Sequence, residues 1–102
     1  MTDRELLELA AKAAGIEVYW CDSNSCFWLA DESDSFVPLD HDGDALRLAV
    51  KLGFIVDTHG MYVRVSFPFG ENLAMETHNS DPYAATRRAI VRAAAEIGKE
   101  MK

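Results

Sequence analysis

Four acidic or imidazole side chains occur close together in one short segment: Asp40, His41, Asp42 and Asp44. Several carboxylates in one loop can hold a hard divalent cation, and such an ion would support hydrolase or nuclease chemistry. The spacing does not fit an EF-hand, because that loop needs glycine at its sixth position and glutamate at its twelfth, whereas Gly43 is fourth from Asp40 and the twelfth residue is Lys51. A helix start accounts for the same residues, since one aspartate would cap the helix and another would lie near the positive end of its dipole. We therefore predict no bound metal, with a metal-dependent hydrolase or nuclease using Asp40, Asp42 and Asp44 as an alternative.

Two cysteines and three histidines suggest a zinc site or a thiol nucleophile: Cys21, Cys26, His41, His59 and His78. A structural zinc site usually has a second, closely spaced pair of ligands, and the sequence offers none. Neither cysteine lies beside an evident histidine and aspartate that would activate a thiol. Cys21 and Cys26 instead flank the polar residues 22–25, so we expect them opposite one another at the ends of a hairpin turn, as thiols that pair only after oxidation.

Aromatic side chains are numerous enough to form a contact surface, because tryptophan and tyrosine often dominate binding interfaces. Most are expected in the core, among them Trp20, Phe27, Phe36, Phe67 and Phe69. Tyr19 and Trp28 belong to the opposite register of the predicted hairpin and are expected to face outward or toward another layer. Arg87, Arg88 and Arg92 would suit a phosphate or a carboxylate, but we expect them to form a solvated helix face and to pair within the helix.

The composition predicts one acidic domain over residues 1–102. The chain has 102 residues, 49% of them hydrophobic, and no apolar stretch approaches the roughly 18 residues of a membrane span. Its 17 acidic and 10 basic residues give a net charge of −7, which argues against direct nucleic-acid binding and favours basic partners. The N-terminus carries mixed charges and leads straight into a helical pattern, without the features of a secretory signal. We therefore expect a protein of the cytoplasm with no membrane partner.

Hydrophobic periodicity predicts a first helix over residues 3–14, with an apolar stripe of Leu6, Leu7, Leu9, Ala10, Ala13 and Ala14. Thr2 or Asp3 would cap its start, and Gly15 would end it. Two runs rich in aromatic and β-branched residues, 16–21 and 26–30, predict a hairpin, and residues 36–39 predict a brief extended piece. A second helix follows and ends at Gly53, with a core stripe of Ala45, Leu46, Ala49, Val50 and Leu52.

Three more strands are predicted over residues 54–58, 61–67 and 73–77. In the middle strand, four apolar residues alternate with Tyr62, Arg64 and Ser66, which indicates a sheet with one buried face; they are Met61, Val63, Val65 and Phe67. Ser80 or Asp81 would cap a last helix that buries Tyr83, Thr86, Ile90, Ala94, Ile97 and Met101. The order α-β-β-α-β-β-β-α predicts an α+β fold, a layered α/β/α-type sandwich with a mainly antiparallel sheet.

Four segments together resemble a known family: the helix end AAGI (13–16), the tryptophan-containing hairpin, PLDHDGDALRLAVKLG (38–53) and DPYAATRRAIVRAAA (81–95). The chain resembles, over nearly its whole length, the small bacteriophage and prophage proteins called phage ABA-sandwich domain proteins. The resemblance implies a layered α/β/α arrangement and a viral accessory gene. It implies no catalytic residues, since the family has no established general activity.

The sequence shows no nucleophile beside an activating base, no phosphate-binding loop and no metal signature, so we predict a non-enzymatic binding protein without a cofactor. The phage resemblance adds the expectation that it inhibits a host protein of antiviral defence, such as a nucleic-acid-binding component, in the host cytoplasm. The predicted contact surface consists of Trp28, Asp31, Glu32, Asp34, Asp40, Asp42 and Asp44. A small-molecule or nucleotide sponge using His59, Arg64 or the arginines of the last helix is an alternative, and a homodimer is a further expectation.

Overall fold

A computed structural model of the chain describes residues 2–31, 33–67, 72–78 and 81–101. Its elements in chain order are α1 (Asp3–Ala14), β1 (Val18–Cys21), β2 (Cys26–Leu29), β3 (Ser35–Phe36), α2 (Asp42–Leu52), β4 (Ile55–Asp57), β5 (Tyr62–Ser66), β6 (Asn72–Thr77) and α3 (Pro82–Glu100). The predicted α+β class with antiparallel strand pairing is confirmed. The described residues contain one strand more than predicted, because the short piece before α2 pairs with β2 as β3.

The strands form two separate three-stranded sheets, sheet A with the order β1-β2-β3 and sheet B with the order β4-β5-β6. The alternation predicted for β5 is confirmed at Val63 and Val65, which are buried, and at Tyr62 and Arg64, which are exposed. Met61 departs from the alternation and is exposed, because it lies in the turn that precedes β5. Residues 68–71, which join the second and third of the three strands predicted after the second helix, lie outside the described residues.

Sheet A covers one side of α1 with its inner face. Phe27 and Phe36 are buried there against Ala11, and Trp20 packs edge-on against Phe27 with 5.1 Å between the ring centroids. The opposite face carries Tyr19 and Trp28, as the hairpin register predicted. Tyr19 is exposed, whereas Trp28 is only half-buried.

The last helix, α3, is the centre of the molecule, because it packs against α1, α2, β5 and β6. Its buried residues are mostly small: Ala85, Ala89, Ile90, Val91, Ala93, Ala94, Ala95 and Gly98. The predicted single stripe of larger residues is wrong at both ends, since Tyr83 is 70% exposed and Met101 is also exposed. A helix that is covered on several sides needs small side chains around most of its circumference. The buried residues of α3 therefore do not form the single apolar stripe of a helix that is covered on one side.

The helices α1 and α3 approach one another closely at Gly98. A Cβ atom added there would lie 2.1 Å from the carbonyl oxygen of Leu9 and 2.8 Å from its carbonyl carbon. The neighbouring buried side chains of α1 are small as well, at Ala10, Ala11 and Ala14. The two backbones therefore pack directly on one another, and only glycine fits at position 98.

The helix α2 buries a different stripe from the one predicted. Ala45, Leu48 and Ala49 are buried, whereas Leu46 and Val50, expected in the core, are 63% and 72% exposed. The buried residues follow the i, i+3, i+4 spacing of one helix face, and Leu46 and Val50 fall beside that face. Two large apolar side chains of α2 are thus left on the surface.

Both ends of α1 and the start of α3 agree with the sequence prediction. Thr2 caps α1 through a reciprocal pair of hydrogen bonds with Glu5, and Gly15 ends it with a left-handed backbone, φ 69°. Asp81 caps α3 by accepting hydrogen bonds from the amides of Tyr83 and Ala84. Ser80, the other candidate cap, lies outside the described residues. None of the helices in the described part of the chain combines the length and the apolar character needed to cross a membrane.

Candidate functional site

The segment before α2 is held by its backbone and by Asp44. The amide of Val37 donates to Asp44 Oδ2 at 2.9 Å, and the carbonyl of Val37 accepts from the amides of Asp40 and His41 at 3.0 and 2.9 Å. The N-cap of α2 is His41, whose side chain makes no capping hydrogen bond. The prediction that an aspartate caps this helix is therefore wrong, because Asp44 reaches back to Val37 and pairs with Arg47 instead.

Replacing Asp44 by alanine is expected to destabilise the protein by about 1–3 kcal/mol, since the partly buried amide of Val37 would lose its acceptor. Urea unfolding followed by circular dichroism measures this change. The matched control is Asp40→Ala in the same segment, which removes an exposed carboxylate and should change stability by less than about 0.5 kcal/mol. Equal stability of the two variants would show that the contact between Asp44 and Val37 does not hold the segment.

An open cavity of about 650 Å³ lies where the first turns of α2 and α3 meet β4. We call it the α2/α3 cavity, and it is lined by Asp42, Gly43, Ala45, Leu46, Val56, Thr58, His78, Pro82, Tyr83, Thr86, Arg87 and Ile90. Its walls are predominantly apolar. Two of the exposed side chains that the sequence placed in the core, Leu46 and Tyr83, belong to it.

Arg87 joins the start of α3 to the segment before α2. Its Nε donates to the carbonyl oxygen of Leu39 at 2.8 Å, and its Nη1 donates to Asp42 Oδ1 at 2.7 Å. These two bonds fix the guanidinium beside the α2/α3 cavity and compensate its charge. They also connect the start of α3 to the start of α2, the two helix ends that form the cavity.

The sequence predicted that the arginines of α3 pair within their own helix, and this prediction is wrong. Arg87 pairs with Asp42 of α2, Arg88 with Asp3 of α1 at 3.2 Å, and Arg92 with a carboxylate of β6. Neither Arg87 nor Arg88 has a carboxylate three or four residues away in α3, whereas carboxylates of the elements packed against this helix lie within ion-pair distance. The three cations therefore connect elements of the fold.

His78 also lines the α2/α3 cavity. Its backbone amide donates to the carbonyl of Met61 at 3.1 Å. The ring atom Nε2 is buried and has no hydrogen-bond partner among the residues that the structure describes. Buried nitrogen atoms are usually satisfied, so this atom is a polar group that a bound molecule can engage.

The predicted contact residues of the hairpin side lie apart from the cavity and make local contacts. Asp31 Oδ1 accepts from the amide and the hydroxyl of Ser33 at 3.0 and 2.7 Å, and these bonds hold the pKa of Asp31 below its ordinary value. Asp34 Oδ1 accepts from the amide of Ser35 at 2.8 Å. Trp28 buries its Nε1 without a partner in the described part of the chain, and Glu32, like Phe69, lies outside that part.

A second cavity of about 660 Å³ lies between sheet A and α2. Asp34 and Asp44, two of the predicted contact residues, both line it, together with the basic residues Arg47 and Lys51. Acidic and basic groups are thus balanced in this cavity. The six predicted contact residues that the structure describes divide between distinct places, and among these six Asp42 lines the α2/α3 cavity.

The carboxylates around Gly43 do not converge on a common point. Asp42 pairs with Arg87 and Asp44 with Arg47, while Asp40 is exposed. Over residues 2–31, 33–67, 72–78 and 81–101, no group of three or more His, Cys, Asp or Glu side chains is arranged to hold a metal ion.

The two cysteines lie directly opposite one another in the hairpin, as predicted. Both are half-buried free thiols. The sulfur of Cys21 lies 3.2 Å from the hydroxyl oxygen of Ser23. The hydrogen bond with that hydroxyl, followed by one from the amide of Asn24, lowers the pKa of the Cys21 thiol.

Replacing Ser23 by alanine should raise the pKa of Cys21 and slow its alkylation by iodoacetamide near neutral pH, because the thiolate is the reacting form. The rate of alkylation plotted against pH should shift to higher pH in this variant. Peptide mass spectrometry resolves the two thiols, so Cys26 in the same sample is the internal control and should keep its rate. An unchanged profile at Cys21 would show that Ser23 does not stabilise the thiolate.

Sequence reasoning did not place Leu46 and Tyr83 at a surface cavity. It also did not predict that Arg87 pairs with Asp42. A signal for Leu46 exists in the sequence, since Ala45, Leu48, Ala49 and Leu52 fit the i, i+3, i+4, i+7 template of a buried face and Leu46 does not.

Comparison of the chain with protein-family models, with curated proteins and with solved structures found no match.

Proposed function

We propose that this protein is a non-enzymatic binding protein that holds a basic and apolar segment of a protein partner in the α2/α3 cavity. The observation that carries the proposal is the pair of apolar side chains at this cavity, Leu46 and Tyr83, which are 63% and 70% exposed. Apolar groups that cluster at a concave surface mark interaction sites. A partner that inserts an aliphatic or aromatic side chain would remove both from water.

The charge around the cavity favours a basic partner. The exposed Asp40 and Asp81 lie within two residues of lining positions and carry the net negative charge there, since the charge of Asp42 is compensated by Arg87. The one arginine in the lining, Arg87, is already neutralised by Asp42 and by the carbonyl of Leu39. Together with the net charge of −7, this arrangement attracts arginine and lysine side chains and speeds their approach.

The resemblance to phage accessory proteins extends the proposal to the biological partner. We propose that the partner is a host protein of antiviral defence, met in the host cytoplasm and inhibited by the bound phage protein. A defence component that binds nucleic acid would carry Lys and Arg on its surface to neutralise phosphates, and an acidic and apolar cavity fits such a basic surface. The acidic residues outside the cavity, such as Asp31 and Asp34, would then widen the contact without anchoring it.

Fluorescence anisotropy with synthetic peptides tests this function. The probe is a short labelled peptide in which arginine alternates with leucine and tryptophan, and its controls replace the arginines by glutamate or the apolar residues by serine. We expect binding of the basic and apolar peptide with a Kd on the order of 10 µM and at least tenfold weaker binding of both controls. Equal binding of the serine control would show a purely electrostatic contact and contradict the proposal.

A small apolar ligand is the second candidate for the α2/α3 cavity. Its volume lies within the range of ligand pockets, and the unpartnered Nε2 of His78 offers one polar contact. A thermal-shift screen with nucleotides and with small aromatic compounds separates the two functions. A ligand that raises the melting temperature while the peptides fail to bind would favour the small-molecule function over the proposed one.

A further inference from the structure

The thiol pair of the hairpin lies on a face of sheet A that the binding function leaves unused. Cys21 and Cys26 are directly opposed residues of β1 and β2. Because side chains alternate along a strand, both thiols share the outer face with Tyr19 and Trp28, while Trp20 and Phe27 point to the core. Both sulfur atoms therefore lie on the same side of the sheet.

The hydrogen-bond pattern of the hairpin sets the spacing of the two cysteines. The amide of Ala30 donates to the carbonyl of Glu17 at 2.9 Å, which marks these residues as a hydrogen-bonded pair. Hydrogen-bonded and non-hydrogen-bonded pairs alternate along an antiparallel ladder, so Cys21 and Cys26, four positions along each strand, are again a hydrogen-bonded pair. Such pairs hold their Cα atoms about 5.5 Å apart.

This Cα spacing allows a disulfide after oxidation, since disulfides most often join Cα atoms about 5.5–6 Å apart. The Cβ atoms of directly opposed residues lie roughly 4.5–5.5 Å apart, with hydrogen-bonded pairs at the wide end, which is at or beyond the upper limit of about 4.5 Å for a disulfide and also suits an ion between the two sulfurs of the reduced protein. Two metal–sulfur bonds of about 2.3 Å each separate their sulfurs by up to about 4.6 Å. Two sulfurs on one face of a wide pair can meet this distance without moving the strands.

We propose that Cys21 and Cys26 form a two-thiolate binding site for a soft monovalent metal ion, Cu(I). Thiolates are the ligands that Cu(I) prefers, and this ion accepts two sulfur ligands. Zn²⁺ requires four ligands, and the described residues bring no third His, Cys, Asp or Glu to this pair. The nearest carboxylate, Asp22, is held by a hydrogen bond from Trp20 Nε1 at 2.8 Å. Each thiol releases its proton to solvent as its sulfur binds the ion.

Anaerobic titration with Cu(I) in the presence of a chromogenic Cu(I) chelator tests the site in the full chain. We expect one Cu(I) per chain, with thiolate-to-copper charge-transfer absorption and quenching of the fluorescence of Trp28 on the same face. Cys21→Ser and Cys26→Ser should each weaken binding by about 100-fold or more, because removing even an outer contact of a metal site costs 10–100-fold. Ser33→Ala, in the neighbouring loop, is the control and should bind as the unaltered protein does.

The variants remain informative because both cysteines are only half-buried, and melting temperatures confirm that the fold is kept. Cu(I) affinity that is unchanged in Cys21→Ser would overturn the proposal. Formation of a copper-bridged dimer in size-exclusion chromatography would overturn it too, since the ion would then join two chains. Because the site lies outside the α2/α3 cavity, either result leaves the proposed peptide binding unaffected.

Discussion

Replacing Gly98 by alanine is expected to destabilise the protein by about 3 kcal/mol. The added Cβ would lie 2.1 Å from the carbonyl oxygen of Leu9, and its other near neighbours are also backbone atoms of Leu9. Backbone cannot rotate away as a side chain can, so α1 and α3 would have to separate and leave voids among their small side chains. The gain in helix propensity, about 1 kcal/mol, offsets only part of this cost. Urea unfolding followed by circular dichroism measures the net change.

Gly43→Ala is the matched control, since it makes the same substitution in another helix. A Cβ atom at Gly43 would meet only the side chain of Arg47, at 3.5 Å, which is ordinary contact. This variant should therefore be as stable as the unaltered protein, or slightly more stable. A Gly98→Ala protein with unchanged stability would contradict the direct backbone packing of α1 on α3.

Replacing Leu46 by asparagine is expected to weaken binding of the basic and apolar peptide by about tenfold to a hundredfold. A leucine side chain that becomes buried in a complex contributes roughly 1.5–3 kcal/mol, and about 1.4 kcal/mol corresponds to tenfold in affinity. Leu46 is 63% exposed in the free protein, so the substitution should leave the fold intact. Anisotropy titration with the labelled peptide measures the affinity, and the melting temperature checks the fold.

Met75→Asn is the control for this loss of affinity. Met75 is also exposed, at 49%, but it lies on β6, and its side chain does not line the α2/α3 cavity. Its replacement removes a comparable apolar group and should leave the affinity unchanged. Equal effects of Leu46→Asn and Met75→Asn would show that the peptide binds by general adhesion to apolar surface.

Local signals in the sequence determined the elements well. Thr2 with Glu5, Gly15, Gly53 and the Asp81-Pro82 pair define helix ends by contacts within a few residues, so the ends could be predicted. The opposition of the two cysteines followed from the length of a single turn. These features are formed by residues that lie close together in the sequence, so they can be predicted without knowledge of the tertiary structure.

The site depends on contacts between distant segments, and for that reason it was not predicted. Tyr83 looks like a core residue by type, and its exposure depends on the position of α3 among its neighbours, whereas the spacing of the apolar residues in α2 could have separated Leu46 from the buried face. The contacts of Arg87 with Leu39 and Asp42 span more than forty residues of chain. The division of the strands into two sheets also depends on tertiary packing. The order of the strands along the chain does not specify it.

Amide NMR of the isotope-labelled protein, titrated with the basic and apolar peptide, tests the central claim most directly. If the α2/α3 cavity is the binding site, the largest shift changes will map to Leu46, Thr58, Tyr83 and Ile90, and the outer face of sheet B, with Tyr62 and Met75, will stay unchanged. Changes concentrated on the hairpin around Trp28 and Asp31, with none at Leu46 and Tyr83, would contradict it.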